Sequence, residues 1–492
     1  MELSVPGIAF LLTIFLDIVI YILLVNRSSA SKYVALFAVS AVFFVASSYM
    51  IAEFNVYSVL LFVISLFRFI NLSRVAVRHM HNGELSRRFR RSALWFWVYS
   101  APLVYVIHYN ASIFYTSSFA ILSLILSIIL LCTTIYSLIH WRTRQNQSEK
   151  ISYLPTVSVC IPARNETQDL PGCIESVLAS TYPKLEVLVL DDCSHDKTPT
   201  IIKDYAHRGV RFISGQEPNE SWVAKNSAMK KLFEESKSDI VIFAGVDVRF
   251  SPQTIHSIIE QLENRHLDMI SVLPRRLGSS EASVFIQPLR YWWELSVPRL
   301  FGKRPPTLST LWAIRRTKLK KVGGFDSVKH SIRPEAHFAK RLSSAYRFVI
   351  SGEIIGVSSV KGPREQFDTA LRMRYPQARR RPESVFALLI VELVIFYGPI
   401  IGIGYGINNQ SNYIVVASAI SLVILLVINT AISRLSVKKT WPVGLVSLPF
   451  LIILEWYVLI RSMIAYEFGI VHWKERNICL PVLQVEKALP KL

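Results

Sequence analysis

The sequence predicts a soluble α/β domain with a mostly parallel sheet, inserted between two sets of α-helical membrane segments. Three observations predict it. Eight apolar runs fall into two blocks, five before residue 140 and three after residue 385, and about 20 apolar residues are enough to cross a bilayer as a helix. Between the blocks, short apolar strands alternate with helical patterns, which points to a parallel sheet. Charged residues make up only 18% of the 492 residues, below the about 25% of soluble proteins. The 55 Lys and Arg and 35 Asp and Glu are nevertheless too many for a chain lying wholly in a membrane.

The N-terminal block, residues 1–145, holds runs at 6–25, 33–52, 55–71, 93–109 and 112–140. The third and fourth are short, and the fifth is long enough to tilt or to extend beyond the bilayer. The run at 6–25 has no basic region before it and no small-residue cleavage pattern after it, so it is read as a span and not as a secretory signal. Orientation follows from the basic loops, because Lys and Arg gather on the cytoplasmic side. Arg74, Arg78, Arg87, Arg88, Arg90 and Arg91 face only Glu84 in the loop 74–91, which predicts a cytoplasmic loop. Arg27 and Lys32 then also lie inside, the uncharged loops 109–111 and 406–412 lie outside, and the central domain is delivered to the cytoplasm.

After the central stretch, 150–376, comes a basic interfacial segment, 377–384, and then a C-terminal membrane region, 385–470, with runs at 385–406, 413–432 and 441–460. Pro449 falls inside the last run, where it can break a helix. A full span there would place Lys474 and Arg476 outside. A re-entrant or interfacial last segment is therefore expected, with the tail 471–492 inside.

The net charge of +20 is explained by topology, and it also suits anionic headgroups or phosphate-bearing substrates. No nucleic-acid motif accompanies the basic clusters, so no nucleic-acid partner is expected. Composition excludes disordered and collagen-like chains. Cys132, Cys160, Cys173, Cys193 and Cys479 form no CxxC pair, which argues against a zinc or redox motif. Three of them lie in the soluble stretch, which suggests a reducing compartment.

Within 150–376 the strands are expected at TVSVCI (156–161), LEVLVL (185–190), VRFIS (210–214) and DIVIFA (239–244). Helical patterns cover 169–179, the segment after the second strand to about 207, 224–235 and 253–264. In such sheets ligands bind at the carboxyl ends of the strands. The first strand ends in PARNE (162–166), the second in DDCSHD (191–196) and the fourth in GVD (245–247). Carboxylates there can accept hydrogen bonds from a base or ribose, or bind a hard cation. A single acid at such a place is as well explained as a helix N-cap, and Ser194 and Asp196 are read that way. Three polar strand ends on one edge are not.

The pattern VSVCIPARNE, a helix and then LEVLVLDDCSHDKT resembles the opening of a family 2 glycosyltransferase with the GT-A fold. The resemblance runs over 155–376, with Trp222-Val-Ala-Lys225, Val322-Gly-Gly-Phe325 and Glu335, seven residues before Leu342, in the family's order. It is to membrane-integral members, the group of ceramide glucosyltransferase and of cellulose and hyaluronan synthases. The resemblance implies that Arg164, Glu166 and Asp192 line the base and ribose pocket and that Lys225 lies near the donor. It implies that Asp247 is the DxD acid that holds the metal, and that Glu335 is the catalytic base of the ED element. Arg372, Arg374 and Tyr375 fall where membrane-integral members carry QxxRW, which contacts the donor diphosphate and the acceptor end. Trp473-Lys-Glu-Arg476 resembles a tail motif of such members. The implied cofactor is a divalent cation, magnesium or manganese. The implied donor is a nucleotide-sugar, a UDP-sugar, and the acceptor is a membrane lipid or a growing polysaccharide. The implied reaction inverts the anomeric centre, in a multi-pass plasma-membrane protein whose catalytic domain is cytoplasmic.

The chain departs from the family pattern in three places. The first DxD acid is Gly245, the ED pair reads Pro334-Glu335, and QxxRW reads LRMRY (371–375). One protein carboxylate together with diphosphate oxygens still suits magnesium. The departures set a second reading beside the first, a catalytically inactive GT-A scaffold at the membrane. A transporter would show paired inverted repeats, and none is visible. Several residues keep two readings. Arg379-Arg-Arg381 serves as a topology anchor or a site, and Arg372, Arg374 and Tyr375 also fit an interfacial amphipathic stretch. His337 is structural or acceptor-side. Asp17, an intramembrane acid, is functional or locally paired. Tyr291, Trp292 and Trp293 form an acceptor platform or pack in the core. Gly323-Gly324 reads as a tight turn.

Overall fold

The structure is a computed structural model that describes residues 117–141, 153–218, 222–276, 291–296, 305–378, 380, 382–436, 442–467, 471–474 and 476–478. The expected spans before residue 112, Asp17, the basic loop 74–91, Arg379, Arg381 and Cys479 lie outside the described residues. The chain divides into two compact units. One comprises the chain to Ser123, Ala378–Ala419 and the chain from Gln484, and the other Leu124–Gln377 with Ile420–Leu483.

The second unit is built on a seven-stranded sheet of order β3-β2-β1-β4-β8-β6-β9. Strands β1 (Val157–Ala163), β2 (Leu185–Asp191), β3 (Val210–Ser214) and β4 (Ile240–Ala244) alternate with helices α2 (Leu170–Leu178), α3 (Thr198–Asp204) and α4 (Ala224–Glu235). They pair in parallel, with Val157 opposite both Leu185 and Ile240. The central strand β4 reads as a continuous apolar run because both faces of the sheet are covered, whereas the edge strand β3 exposes Arg211 and Ser214. Helix α5 (Thr254–Asn264) leads to β6 (Met269–Leu273), which pairs in parallel with β9 (Tyr346–Ile350). Strand β8 (Leu311–Arg315) enters antiparallel to both β4 and β6, so the sheet is mixed but mostly parallel. Three short strands, β5 (Val248–Phe250), β7 (Arg275–Arg276) and β10 (Val357–Ser359), form a second sheet of order β5-β10-β7.

Alternation of side chains across the sheet sorts the apolar residues into two cores. Val157, Val159, Ile161, Ile242 and Ala313 face one, with Ile174 and Ile258 from the helices. Cys160, Leu188, Phe243 and Trp312 face the other, with Phe325 and Phe338. Trp312 stacks on Phe243 at 4.4 Å, and Phe325 meets Phe243 edge-on at 5.4 Å. Each such fully buried aromatic contributes about 2–3 kcal/mol. The chain reaches Phe325 through Gly323 and Gly324, whose φ of 90° and 52° make the tight turn expected there. Helices α6 (Arg316–Lys321), α7 (Pro334–Arg341) and α8 (Pro363–Gln377) complete the domain.

Four stretches among the described residues are helical, long and apolar enough to cross a membrane: Ala120–His140, Ser384–Asn408, Asn412–Ser436 and Ser447–Glu467. They correspond to α1 (Ser117–His140), α9 (Pro382–Glu392) joined by a π turn to α10 (Gly398–Asn408), α11 (Asn412–Ser436) and α12 (Val443–Glu467). Within the first unit Gly402 abuts Ser418 so closely that a Cβ would overlap its hydroxyl, a small-residue contact of the kind that lets apolar helices approach. Helix α12 runs unbroken through Pro449. Pro449, which can break a helix, does not interrupt this one. Proline is tolerated in apolar helices, where neighbouring groups take up the freed carbonyl.

Candidate active site

The carboxyl ends of β1 and β2 meet at one edge of the sheet, as the pattern predicts. Arg164 follows β1 and is 4% exposed. Its guanidinium donates to the carbonyls of Asp192 at 2.6 Å, Cys193 at 2.8 Å and Lys474 at 3.0 Å. Arg164 thus fastens the two strand ends to Lys474, and its Nη1 also stands 3.9 Å from the Glu217 carboxylate. The tail forms a hairpin of β11 (His472–Trp473) and β12 (Arg476–Asn477). Arg476 donates to Asp192 at 2.6 Å and to Glu217 at 2.7 Å. Lys474 donates to the carbonyl of Asn165 at 2.8 Å and lies 3.2 Å from the Glu166 carboxylate. Burial raises the carboxyl groups of Asp192 and Glu166 above the usual carboxylate range, against the pull of Arg476 and Lys474 respectively. Lys474 and Arg476 therefore sit on the acids of the strand ends.

Asp247 lies in the turn between β4 and β5. Ser359, from β10, donates to its Oδ2 at 2.7 Å, and Lys361 Nζ stands 3.9 Å away. A Cβ on Gly245 would come within 2.8 Å of Asp247 Oδ1. The missing first acid thus leaves the space into which the remaining carboxylate reaches. No group of three or more His, Cys, Asp or Glu able to hold a metal occurs among the described residues. A cation here would take one protein carboxylate and complete its shell from substrate oxygens and water, a pattern that suits magnesium.

Glu335 opens α7, where Pro334 occupies the first turn without losing a helical bond. It is 0% exposed, and neither carboxylate oxygen finds a hydrogen-bond partner in another residue. Arg333 Nε is 3.7 Å away. Burial raises the Glu335 carboxyl, while the charges of Arg333 and Lys225 lower it. Lys225, in the first turn of α4, is lowered by burial, with the charges of Glu335 and Asp247 opposing. Lys225 thus lies within the electrostatic reach of both acids. A buried, unsatisfied carboxylate beside cations is unfavourable for folding, and such groups mark functional sites.

Helix α8 packs along α12. Tyr375 donates from its hydroxyl to Glu467 at 2.6 Å and from its amide to Ser462 at 3.0 Å. Arg374 pairs with Glu455 at 2.8 Å and lies over the ring of Trp293 at 5.1 Å. Arg372 turns the other way, over Trp473 of the hairpin at 5.8 Å, within the field of Glu166.

Residues 158–323 match the family model described as Glycosyl transferase family 2. This stretch of the second unit is thus similar to family 2 glycosyltransferase domains. Its mixed, mostly parallel sheet bears out the expected α/β class. The chain is 26% identical over 188 residues to the "Probable glycosyltransferase YdaM" of Bacillus subtilis, covering 36% of this chain and 44% of that protein. It is 32% identical over 107 residues to the "Undecaprenyl-phosphate 4-deoxy-4-formamido-L-arabinose transferase" of Aeromonas hydrophila, covering 21% of this chain and 32% of that one. The chain thus spans less than half the length of either relative. Among solved structures it is similar to a mannosyltransferase of Pyrobaculum calidifontis in complex with GDP-Man and Mn2+, with TM-score 0.40, 14% identity, and coverage of 71% of this chain and 98% of that one.

Within the second unit, the structure gathers Glu166, Asp192 and Arg372 around the tail hairpin, and sets Lys225 within the field of both Asp247 and Glu335. It holds Arg164 on main chain, and Arg374 and Tyr375 on α12. Sequence reasoning passed over Arg333, Ser359 and Lys361, which carry no motif. It quoted Trp473 to Arg476 as a tail motif without assigning Lys474 and Arg476 to the pocket. Two cations next to a tryptophan after the last apolar run were the available signal.

Proposed function

We propose that the protein is an inverting glycosyltransferase that moves a sugar from a nucleotide-sugar, a UDP-sugar, to a membrane lipid or a growing polysaccharide. One observation carries this. A fully buried carboxylate, Glu335, has no hydrogen-bond partner in another residue and a guanidinium 3.7 Å away, in a chain whose residues 158–323 match family 2 glycosyltransferases. The apolar helices favour an acceptor in the bilayer, and one relative is named for undecaprenyl phosphate. The same helices support a multi-pass membrane protein, and the basic loop 74–91 supports a cytoplasmic domain at the plasma membrane.

In this reading Glu335 takes the proton from the acceptor hydroxyl as a general base. The hydroxyl oxygen attacks the anomeric carbon from the face opposite the nucleotide diphosphate, the bond to that leaving group breaks, and configuration inverts. Negative charge grows on the diphosphate, and Lys225 and Arg372 stand ready to neutralise it. A divalent cation, magnesium or manganese, held by Asp247 and the donor, would supply further neutralisation there. Glu166 and Asp192 offer acceptors to a base or ribose.

The test is nucleoside diphosphate release by the full chain in lipid nanodiscs, offered UDP-glucose, UDP-galactose, UDP-N-acetylglucosamine and GDP-mannose with a membrane lipid extract, with and without a chelator. Release that needs a divalent cation and is abolished by Asp247→Ala and by Glu335→Gln is expected. Folded protein that turns over none of these donors would favour the inactive scaffold.

A further inference from the structure

Arg333 lies between two buried carboxylates. Its Nε is 3.7 Å from Glu335 Oε1, and its Nη2 is 3.7 Å from Glu294 Oε1. Neither separation is a hydrogen bond, so both contacts act through charge. The guanidinium is held in place by a third contact, Nη2 donating to the Thr307 carbonyl at 2.9 Å and hydroxyl at 3.0 Å. Glu294 is 5% exposed and belongs to the π turn Trp292–Ser296.

That turn is fastened by its neighbours to three different apolar helices. Trp292 Nε1 donates to Asn429 of α11 at 3.1 Å, Trp293 Nε1 donates to Glu455 of α12 at 2.5 Å, and Thr134 of α1 donates to Ser296 at 2.8 Å. Gln377 Nε2, from α8, reaches Glu294 at 3.5 Å. A buried charge keeps its place only when its partners are fixed, and here the frame that fixes Glu294 is the set of apolar helices.

We propose that Arg333 and Glu294 are positioning residues that tune the base: Arg333, hydrogen-bonded to Thr307 between the two buried carboxylates, favours ionised Glu335, and Glu294, held by a turn tied to three apolar helices, is a fixed like charge that opposes it. The proposal rests on the reading of Glu335 as the base. It also gives the tryptophans of this turn a role, tethering a charge network and not stacking on a sugar. The charged groups acting on Glu335 are Arg333, Lys225 and Glu294. Arg333 and Lys225 favour its ionised form and Glu294 opposes it, so removing Arg333 and removing Glu294 must act in opposite directions.

The experiment is the pH dependence of kcat for the full chain in nanodiscs, with whichever of the four nucleotide-sugars above turns over, for wild type, Arg333→Gln, Arg333→Lys, Glu294→Gln and Glu335→Gln. Arg333→Gln is expected to move the acidic limb up by about one pH unit, the low end for loss of a neighbouring opposite charge. Glu294→Gln should move it down by a smaller amount, and Arg333→Lys should restore most of the wild-type position. KM for the donor should stay within about two-fold, since neither residue is placed against the nucleotide. If Arg333→Gln does not fold, the downward shift in Glu294→Gln, which keeps the side-chain shape, decides alone. An unmoved acidic limb in folded variants, with Glu335→Gln inactive, overturns the positioning role and leaves the base assignment standing. Activity retained in Glu335→Gln, or no turnover by wild type, overturns the base assignment and this inference with it.

Discussion

Arg476, from the tail hairpin, and Asp192, at the end of β2, form a direct ion pair at 2.6 Å, with the two side chains only 14% and 5% exposed. The pair joins the last described residues of the chain to an acid that the sequence assigns to the nucleotide pocket. Arg476 also holds Glu217, so its loss would leave two carboxylates uncompensated where the base and ribose are expected to bind. Truncating one partner of a buried, hydrogen-bonded charge pair is costly for the other. Arg476→Ala is expected to raise the donor KM by about ten-fold or more, with kcat little changed. Donor titration of variant and wild type checks this, and an unchanged or lower KM would sink it.

The pH dependence of turnover follows from Glu335. Burial raises its carboxyl, and Arg333 and Lys225 only partly oppose this. A general base works ionised, so turnover should be lost as pH falls through the raised value. The acidic limb of kcat is expected above the ordinary glutamate value of about 4.3. For stability the sign is the reverse. A carboxyl raised on folding contributes stability that is fully present below its unfolded value and is lost as pH rises through its folded one. Glu335→Gln should remove turnover and this part of the pH dependence of thermal unfolding together.

Asp247 is oriented by Ser359. Partners of a metal-binding carboxylate tune its affinity by about 10–100-fold. Ser359→Ala is expected to raise the cation concentration needed for half-maximal activity by about ten-fold, with activity recovered at saturating cation. Equal loss at all cation concentrations would show that Ser359 does not act through the cation.

Gly356 precedes β10 with a φ of 64°, and a Cβ there would overlap Ser251. Gly356→Ala should destabilise the domain by about 1–3 kcal/mol. Thermal unfolding in detergent reads the loss, and a stabilised variant would contradict the strain.

Arg374 and Glu455 are both 4% exposed. Breaking such a pair by removing one partner costs about 3–5 kcal/mol, whereas replacing both with apolar residues is often neutral. Arg374→Met alone should destabilise strongly, and Arg374→Met with Glu455→Met should recover most of the loss. Activity that returns with the double variant would mark the pair as structural, and a stable but inactive double variant would return Arg374 to the donor site.

The first half of the soluble domain was legible because its signals are local. Strands 185–190 and 210–214 and helix 224–235 fall within one residue of β2, β3 and α4, since an apolar run bounded by turn residues needs only its own neighbours to be read. Strand β8 was not legible as the partner of β4, because its place between β4 and β6 is fixed by pairing across a long stretch of chain. The same holds for Ser359 beside Asp247, 112 residues apart, and for Arg476 beside Asp192, 284 residues apart.

The sequence by itself determined the apolar runs, the parallel first half of the sheet and the edge at which Asp192 and Asp247 lie, because periodicity and strand ends are properties of adjacent residues. Only the tertiary structure decided what each of those groups faces. Burial and charge act through space, and they depend on which distant segments the fold brings within a few ångströms. That is why Arg164 proved to be a main-chain fastener, Arg374 a partner of Glu455, and Arg333 the cation between Glu294 and Glu335.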